Sequence, residues 1–485
     1  LNRQKLFDKS ESFFLVILAL GGVVWLVRYA VWVVKPFQLN FGEGPLLGVA
    51  ARVARGLTCY PDPHALPYMI NPYGPVSYYL IAPLVRLFGL NFTPLRIFVG
   101  AAAVCCAAFI GLLLRHWTGS ARTGLAFGGV FLLMPAVLQY VIFFRVDFIG
   151  LAFTLAGFYL FVSSKNWLLS VPLFLAAFFC KFTFFPAPLA CFIYMLLQKE
   201  WRKAFKFAAS IGVLAAVLFL AFQKWTGGWF AFDTVAAGAV HPFKIMDWVN
   251  WTEEELGYAL VSFVLTVALL FRRCSRGILT LPFIYLLITS LATVLRGKMG
   301  ADVNYYLEWE AALCLCLGFE YWLLKTEPPD LAPARAFVPF CLGCSIVAMM
   351  IWITTDDDAS VRARVAGCKD AYQFVRQHRE KPILSENVGA MVLAGAPTIV
   401  FEPFLWTREV VGAGWSGSEI LEQIRSRRIP LILLDRPVEQ VKTDPDQTRW
   451  PWSVAEAIEQ KYTLTREFKC ADADFVYEPR ATLKP

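Results

Sequence analysis

FGEGPLLGVAARVARG, residues 41–56, follows the first long apolar run of the chain, and NPYGPVSYYLIAPLVRLFG, residues 71–89, comes next. Glu43 stands at the mouth of a first membrane helix. A carboxylate there does not help a helix to insert, because ionisable groups at membrane depth are costly and mark functional sites by default. An acidic first loop, an amphipathic stretch of small residues and a Pro/Tyr-rich re-entry together frame a polar site beside a membrane surface.

Composition places this loop in a membrane protein. The 485 residues are 58% apolar and only 17% charged, whereas soluble domains run nearer half apolar and a quarter charged. Runs long enough to cross a bilayer, about 20 residues each, recur from Phe13 to Thr355. The net charge of +8 then reads as a topology signal, not as a sign of nucleic-acid binding. The run from Phe13 to Val34 is too long for a signal-peptide core and lacks a small-residue cleavage site, so it reads as a retained first helix.

The fold class expected is mainly α, a polytopic bundle of about 11 transmembrane helices. The spans fall near 13–34, 94–114, 123–143, 146–163, 167–180, 182–198, 204–222, 256–271, 277–295, 304–324 and 336–354. The two spans 167–180 and 182–198 are short and fit a tilted or broken pair. Short basic loops, such as Lys199 to Lys206 and Arg272, Arg273 and Arg276, belong in the cytoplasm by the positive-inside rule. That parity holds only if 73–93 stays on the outer side as an interfacial or re-entrant segment. Charge density then rises at Asp356–Asp358, and apolar strands alternate with helices to the end. Residues 1–355 thus read as a transmembrane domain and 356–485 as a small α/β domain outside the membrane. Within the tail PILSEN, TIVFEP, PLILLD, TLTREF and FVYEP read as strands.

With this topology the unusual polar residues collect on the outer side: Glu43; Arg145 and Asp147 in FFRVDFIG; Lys181 in FFCKFTFFP; and Arg296, Lys298, Asp302, Asn304, Tyr305 and Glu308 in RGKMGADVNYYLE. Each alone also reads as an interfacial anchor or a snorkelling cation. Cations beside a lipid-facing wall suit a phosphate-bearing lipid substrate, with a carboxylate taking the proton of an acceptor hydroxyl. A polyprenyl phosphate leaves readily at neutral pH, and a single base favours direct displacement with inversion.

These motifs, in this order, resemble the GT-C superfamily of integral-membrane glycosyltransferases, close to its protein mannosyltransferase and lipid A aminoarabinose transferase group. FGEGPLLGVAARVARGLTCY resembles the acidic first-loop motif, NPYGPVSYYLIAPLVRLFG the segment that follows it, FRVDFIG the Arg-Pro-Asp segment with Val146 in place of Pro, CKFTFFP the lysine-bearing pair, and GADVNYYLEWEAAL the late Asn-Tyr motif. The family's Asp-Glu pair is here Gly42-Glu43, and its Pro-Pro is Gly74-Pro75. The resemblance implies catalytic roles for Glu43 and Asp147. It implies substrate binding by Arg145, and the polar grouping adds Lys181, Arg296, Lys298, Asn304, Tyr305 and Glu308. The implied partners are a polyprenyl-phosphate sugar, an acceptor of unknown class and membrane lipid, with no nucleic acid. Neither a metal nor another cofactor is indicated, and a bacterial inner membrane with an extracytoplasmic site is the expected location.

Most of the 12 cysteines sit inside apolar runs and read as core. Cys368 and Cys470 lie in the outer tail and are a candidate pair, although spacing does not establish pairing. His64 and His241 read as loop residues, and no Walker motif or dinucleotide fingerprint has a credible strand–helix context. Two other functions compete with transfer: a transporter or flippase for lipid-linked sugars, and a non-catalytic subunit of a membrane assembly. Against the transporter stands the lack of an internal repeat.

Overall fold

A computed structural model describes residues 3–273, 279–326 and 332–481. Arg276, one of the expected cytoplasmic cations, lies outside the described residues. Each of the eleven apolar runs carries helix. Five helices are long and apolar enough to cross a membrane by length and composition: Lys5–Val33, Phe92–Thr118, Trp201–Trp225, Ile245–Arg273 and the apolar part of Arg335–Gln377. The shorter apolar helices include Ala121–Leu132, Asp147–Ser163, Pro186–Leu197 and Leu281–Gly297. Leu307–Thr326 is buried on almost every side and forms the middle of the bundle.

Local chemistry sets many of the ends. Asn91 accepts from Thr93 N and Ser120 from Thr123 N, capping two helices. Proline opens others at Pro75, Pro135, Pro186 and Pro282, where the missing N–H costs nothing. The pair expected at 167–180 and 182–198 is broken indeed. One helix ends at Phe178, the next begins at Pro186, and Lys181 lies in the gap. The 12-residue second half measures about 18 Å at 1.5 Å per residue. The break is filled from the first loop, because Gly74 N and Val76 N donate to Cys180 O (3.1 Å) and Phe179 O (3.1 Å). A Cβ on Gly74 would fall 2.0 Å from Phe179 O, so this approach needs glycine.

The first loop holds two short helices. Glu43–Ala54 and Pro75–Phe88 pack on each other, and Arg86 Nε donates to Ala54 O at 2.6 Å, satisfying the end of its neighbour. Pro75–Phe88 is 14 residues, or about 21 Å, against roughly 30 Å of hydrocarbon. It turns Leu87 and Phe88 outward.

The tail carries a four-stranded sheet in the order β1 (Ile383–Ser385), β2 (Leu431–Leu434), β4 (Phe475–Pro479), β3 (Tyr462–Glu467). β1 and β2 are parallel, and the other pairs antiparallel. β2 is buried along its whole length, as its run Leu-Ile-Leu-Leu requires. TIVFEP, expected as a strand, is not one of the four strands and meets the sheet only in a single parallel bridge from Thr398 to Ile383. Its backbone then pairs with the first loop, Tyr68 N donating to Ile399 O (2.9 Å) and Phe401 N to Tyr68 O (2.8 Å). Pro403 then opens a helix, Pro403–Gly412. Further ties run between tail and membrane helices. Arg28 bonds Asp357 (2.5 Å) and Asp358 (2.9 Å), and Gln38 bridges Asp472 (2.8 Å) and Gly389 N (2.9 Å). Cys368 and Cys470 are disulfide-bonded.

Candidate active site

The first loop, the break at Lys181, the loop around Lys298 and the tail meet around a cavity of about 570 Å³. Arg145, Lys181, Lys298, Asn304 and Tyr305 line it from the membrane side, and Glu402, Arg436 and Arg449 line it from the tail.

Arg145 sits just before the helix Asp147–Ser163. Its Nη2 donates to the Tyr73 hydroxyl at 2.6 Å and its Nη1 to Asn40 Oδ1 at 3.3 Å, while Nε, without a hydrogen bond among the described residues, lies 3.9 Å from Asp147 Oδ2. Gly42 makes room for it, since a Cβ there would fall 1.5 Å from Arg145 Nη1. Lys181 donates to Asp147 Oδ1 at 2.8 Å, with its Nζ 4.4 Å from the centre of the Tyr305 ring. Asn304 Nδ2 donates to the same oxygen at 2.9 Å. Asp147 therefore stands behind the wall and orients two residues that face the cavity.

Lys298 makes no ion pair or side-chain hydrogen bond among the described residues, and partial burial pulls its ammonium below the usual lysine range. His241 also lines the cavity, with Nδ1 3.2 Å from Met299 O and Nε2 without a hydrogen-bond partner among the described residues. Burial and then the charge of Lys298 push its imidazole down to about 4, which leaves the ring neutral at pH 7.

Four of the site residues expected from the sequence do not line the cavity: Asp147, behind the wall, and Glu43, Arg296 and Glu308. Glu43 is fully buried behind Gly42. Its Oε1 accepts from Arg96 Nε (2.8 Å) and Phe144 N (2.6 Å), and its Oε2 from Arg96 Nη2 (2.8 Å), Leu39 N (2.5 Å) and Asn40 N (3.3 Å). Both oxygens are thus occupied. Arg296 packs its guanidinium 4.2 Å from the Trp251 ring centre, and Glu308 accepts from the Tyr285 hydroxyl at 3.0 Å.

Sequence reasoning missed the tail's share of the wall. Arg449 lies 3.7 Å from the ring centre of Phe41 and 3.3 Å from Asp472. Glu402 faces the cavity with no side-chain hydrogen bond or ion pair among the described residues. Burial lifts its carboxyl to about 8 against the pull of Arg449 and Arg145. No spacing in the sequence links these residues to Arg145; Glu402 is tied to the first loop by the backbone pairing with Tyr68, and Arg449 by its contact with Phe41. Among the described residues no group of three or more His, Cys, Asp or Glu is arranged to hold a metal ion.

Over 97% of its length the chain superposes on ArnT from Cupriavidus metallidurans bound to undecaprenyl phosphate, covering 98% of that chain with a TM-score of 0.61 at 12% identity. It has the fold of the GT-C membrane glycosyltransferases. The apo form of the same ArnT gives a TM-score of 0.60 at 11% identity, covering 96% of this chain and 97% of that one. The archaeal oligosaccharyltransferase AglB from Archaeoglobus fulgidus, in complex with an inhibitory peptide and a dolichol-phosphate, gives 0.53 at 11% identity, over 97% of this chain and 75% of that one. Residues 71–225 match the family described as dolichyl-phosphate-mannose-protein mannosyltransferase, and this stretch holds Arg145, Asp147 and Lys181. No curated protein sequence matches the chain significantly. The GT-C similarity to ArnT runs almost end to end and so takes in the tail that closes the cavity.

Proposed function

We propose that this GT-C chain is a membrane glycosyltransferase that moves a sugar from a polyprenyl-phosphate donor to an acceptor on the extracytoplasmic side. The observation that carries this reading is the cavity in which Arg145, Lys181 and Lys298 converge beneath the tail. The Lys298 ammonium has no hydrogen-bond partner among the described residues and the Arg145 guanidinium lines the same cavity; both suit phosphate oxygens, and charge-assisted bonds of this kind are about twice as strong as neutral ones. Held in place before the reaction, they stabilise the charge that grows on the departing phosphate. The solved ArnT and AglB carry a polyprenyl or dolichyl phosphate, which supports the same donor class here. The Cys368–Cys470 bond suits an oxidising compartment and so an extracytoplasmic tail.

In this reading residues 1–355 handle the donor and 356–485 the acceptor. Asp147 positions Lys181 and Asn304, and Glu43 fixes the first loop around Arg145. The test is reconstitution of the full chain in liposomes with undecaprenyl-phosphate-linked sugars. Wild type should bind undecaprenyl phosphate and convert donor to it, and Arg145→Ala should lose both. A wild-type protein that translocates a lipid-linked sugar intact, without cleaving it, would contradict the reading in favour of a flippase.

A further inference from the structure

We infer that Glu402 is the general base of the transfer, so that the tail, and not the first loop, supplies the carboxylate that receives the acceptor's proton. The inference rests on the transferase reading above. It follows from how the carboxylates near the cavity are occupied. Glu43 has both oxygens filled by Arg96 and three backbone N–H groups. Asp147 is buried and does not line the cavity; its Oδ1 is held by Lys181 and Asn304, and its Oδ2 lies 3.9 Å from Arg145 Nε. Asp302 lines the cavity but accepts from the Tyr140 hydroxyl and from Val303 N (2.8 Å). Gly42, where the resembled family carries an acid, faces the cavity with no side chain, and Arg145 fills the space. Glu402 is left as a cavity-lining carboxylate with no bonded partner among the described residues.

Its placement is rigid, as a base requires. The segment before it is stitched to Tyr68 through Ile399 and Phe401, and the Phe401 ring packs where a Cβ on Gly48 would be, 2.4 Å away. Pro403 starts the helix behind it. The charges of Arg449 and Arg145, which line the same cavity, favour the ionised form of the carboxyl; burial and Asp472 oppose them, and Tyr78 is a further neighbour. The balance, about 8, suits a base working near neutral pH.

In the step itself the acceptor oxygen bonds to the anomeric carbon while that carbon's bond to the phosphate oxygen breaks. The electron pair leaves on the polyprenyl phosphate, held by Arg145 and Lys298. The hydroxyl proton passes to a Glu402 oxygen and then to solvent. No redox change or co-reactant is involved.

The test compares wild type, Glu402→Gln and Glu402→Asp as full chains in liposomes. Undecaprenyl-phosphate mannose, glucose and aminoarabinose serve as donor probes, with host membrane extract as acceptor. Binding of undecaprenyl phosphate is measured alongside and reports folding. Glu402→Gln should bind undecaprenyl phosphate within about threefold of wild type and turn over about 10²–10⁴ times more slowly. Wild-type rate should climb with pH to a plateau past about 8, the residual Glu402→Gln rate should be flat, and Glu402→Asp should keep the slope at reduced rate. Glu402→Gln turning over at the wild-type rate with the wild-type pH profile overturns the inference and leaves the transferase reading intact. A wild type that neither binds undecaprenyl phosphate nor consumes any of the three donors overturns the transferase reading itself.

Discussion

Replacing Glu43 by Gln separates a folding role from a chemical one. The carboxylate is fully buried and takes five hydrogen bonds, two from Arg96 and three from the backbone of Leu39, Asn40 and Phe144. An amide keeps one oxygen only. If its NH₂ takes the Oε1 place, it points at Arg96 Nε and Phe144 N; in the Oε2 place it points at Arg96 Nη2, Leu39 N and Asn40 N. Either way buried donors meet a donor, and each unmet one costs about 1–3 kcal/mol. The Arg96 charge also loses its counter-ion, and breaking a buried pair in this way typically costs about 3–5 kcal/mol. The two estimates overlap, so a loss of roughly 3–5 kcal/mol is expected, enough to lower the thermal midpoint of the detergent-solubilised protein clearly. Arg96 also donates to Lys35 O (2.6 Å) and Phe37 O (2.7 Å), so Glu43→Gln/Arg96→Met should be less destabilised than the sum of its single variants without regaining wild-type stability. The assay is thermal unfolding across the four-protein cycle, with undecaprenyl phosphate binding measured on each. A Glu43→Gln protein as stable as wild type, with donor binding kept and transfer lost, would refute this reasoning and make Glu43 the base.

Lys298→Ala should weaken undecaprenyl phosphate binding about 10–100-fold, the worth of one charge-assisted bond of about 1.5–3 kcal/mol, and unchanged binding would remove it from the phosphate site. Glu386 is buried, and burial lifts its carboxyl from 4.5 to about 8, so the folded chain keeps a proton that the unfolded chain releases. Stability should therefore fall as pH rises from about 4.5 to about 8, more gently in Glu386→Gln, and thermal melts over that range check the sign. The Cys368–Cys470 bond closes a separation of 102 residues, and reduction should cost up to about 4–5 kcal/mol by loop entropy; a melting curve indifferent to reductant would contradict this.

The helices were legible because long apolar runs say little else, and the break at Lys181 showed as two spans too short to cross. Glu43 stood out as an anomalous acid, but its meaning lay in Arg96, which sits inside an apolar run and meets Glu43 only through the packing of two separate elements. TIVFEP has the β-branched composition of a strand, yet it touches the sheet only through a single bridge from Thr398 to Ile383 and pairs further with Tyr68 in the first loop. Glu402 is the fifth residue of that segment. A carboxylate brought to the cavity by a non-local backbone pairing leaves no periodicity or spacing for the sequence to show.

The most direct measurement is a structure of the full chain in nanodiscs with undecaprenyl phosphate. The account predicts the phosphate between Arg145 and Lys298, its oxygens at about 2.7–3.2 Å from their nitrogens, with Glu402 facing the same space from the tail. A phosphate bound outside this cavity, with Arg145 still engaged by Tyr73, Asn40 and Asp147, would contradict it.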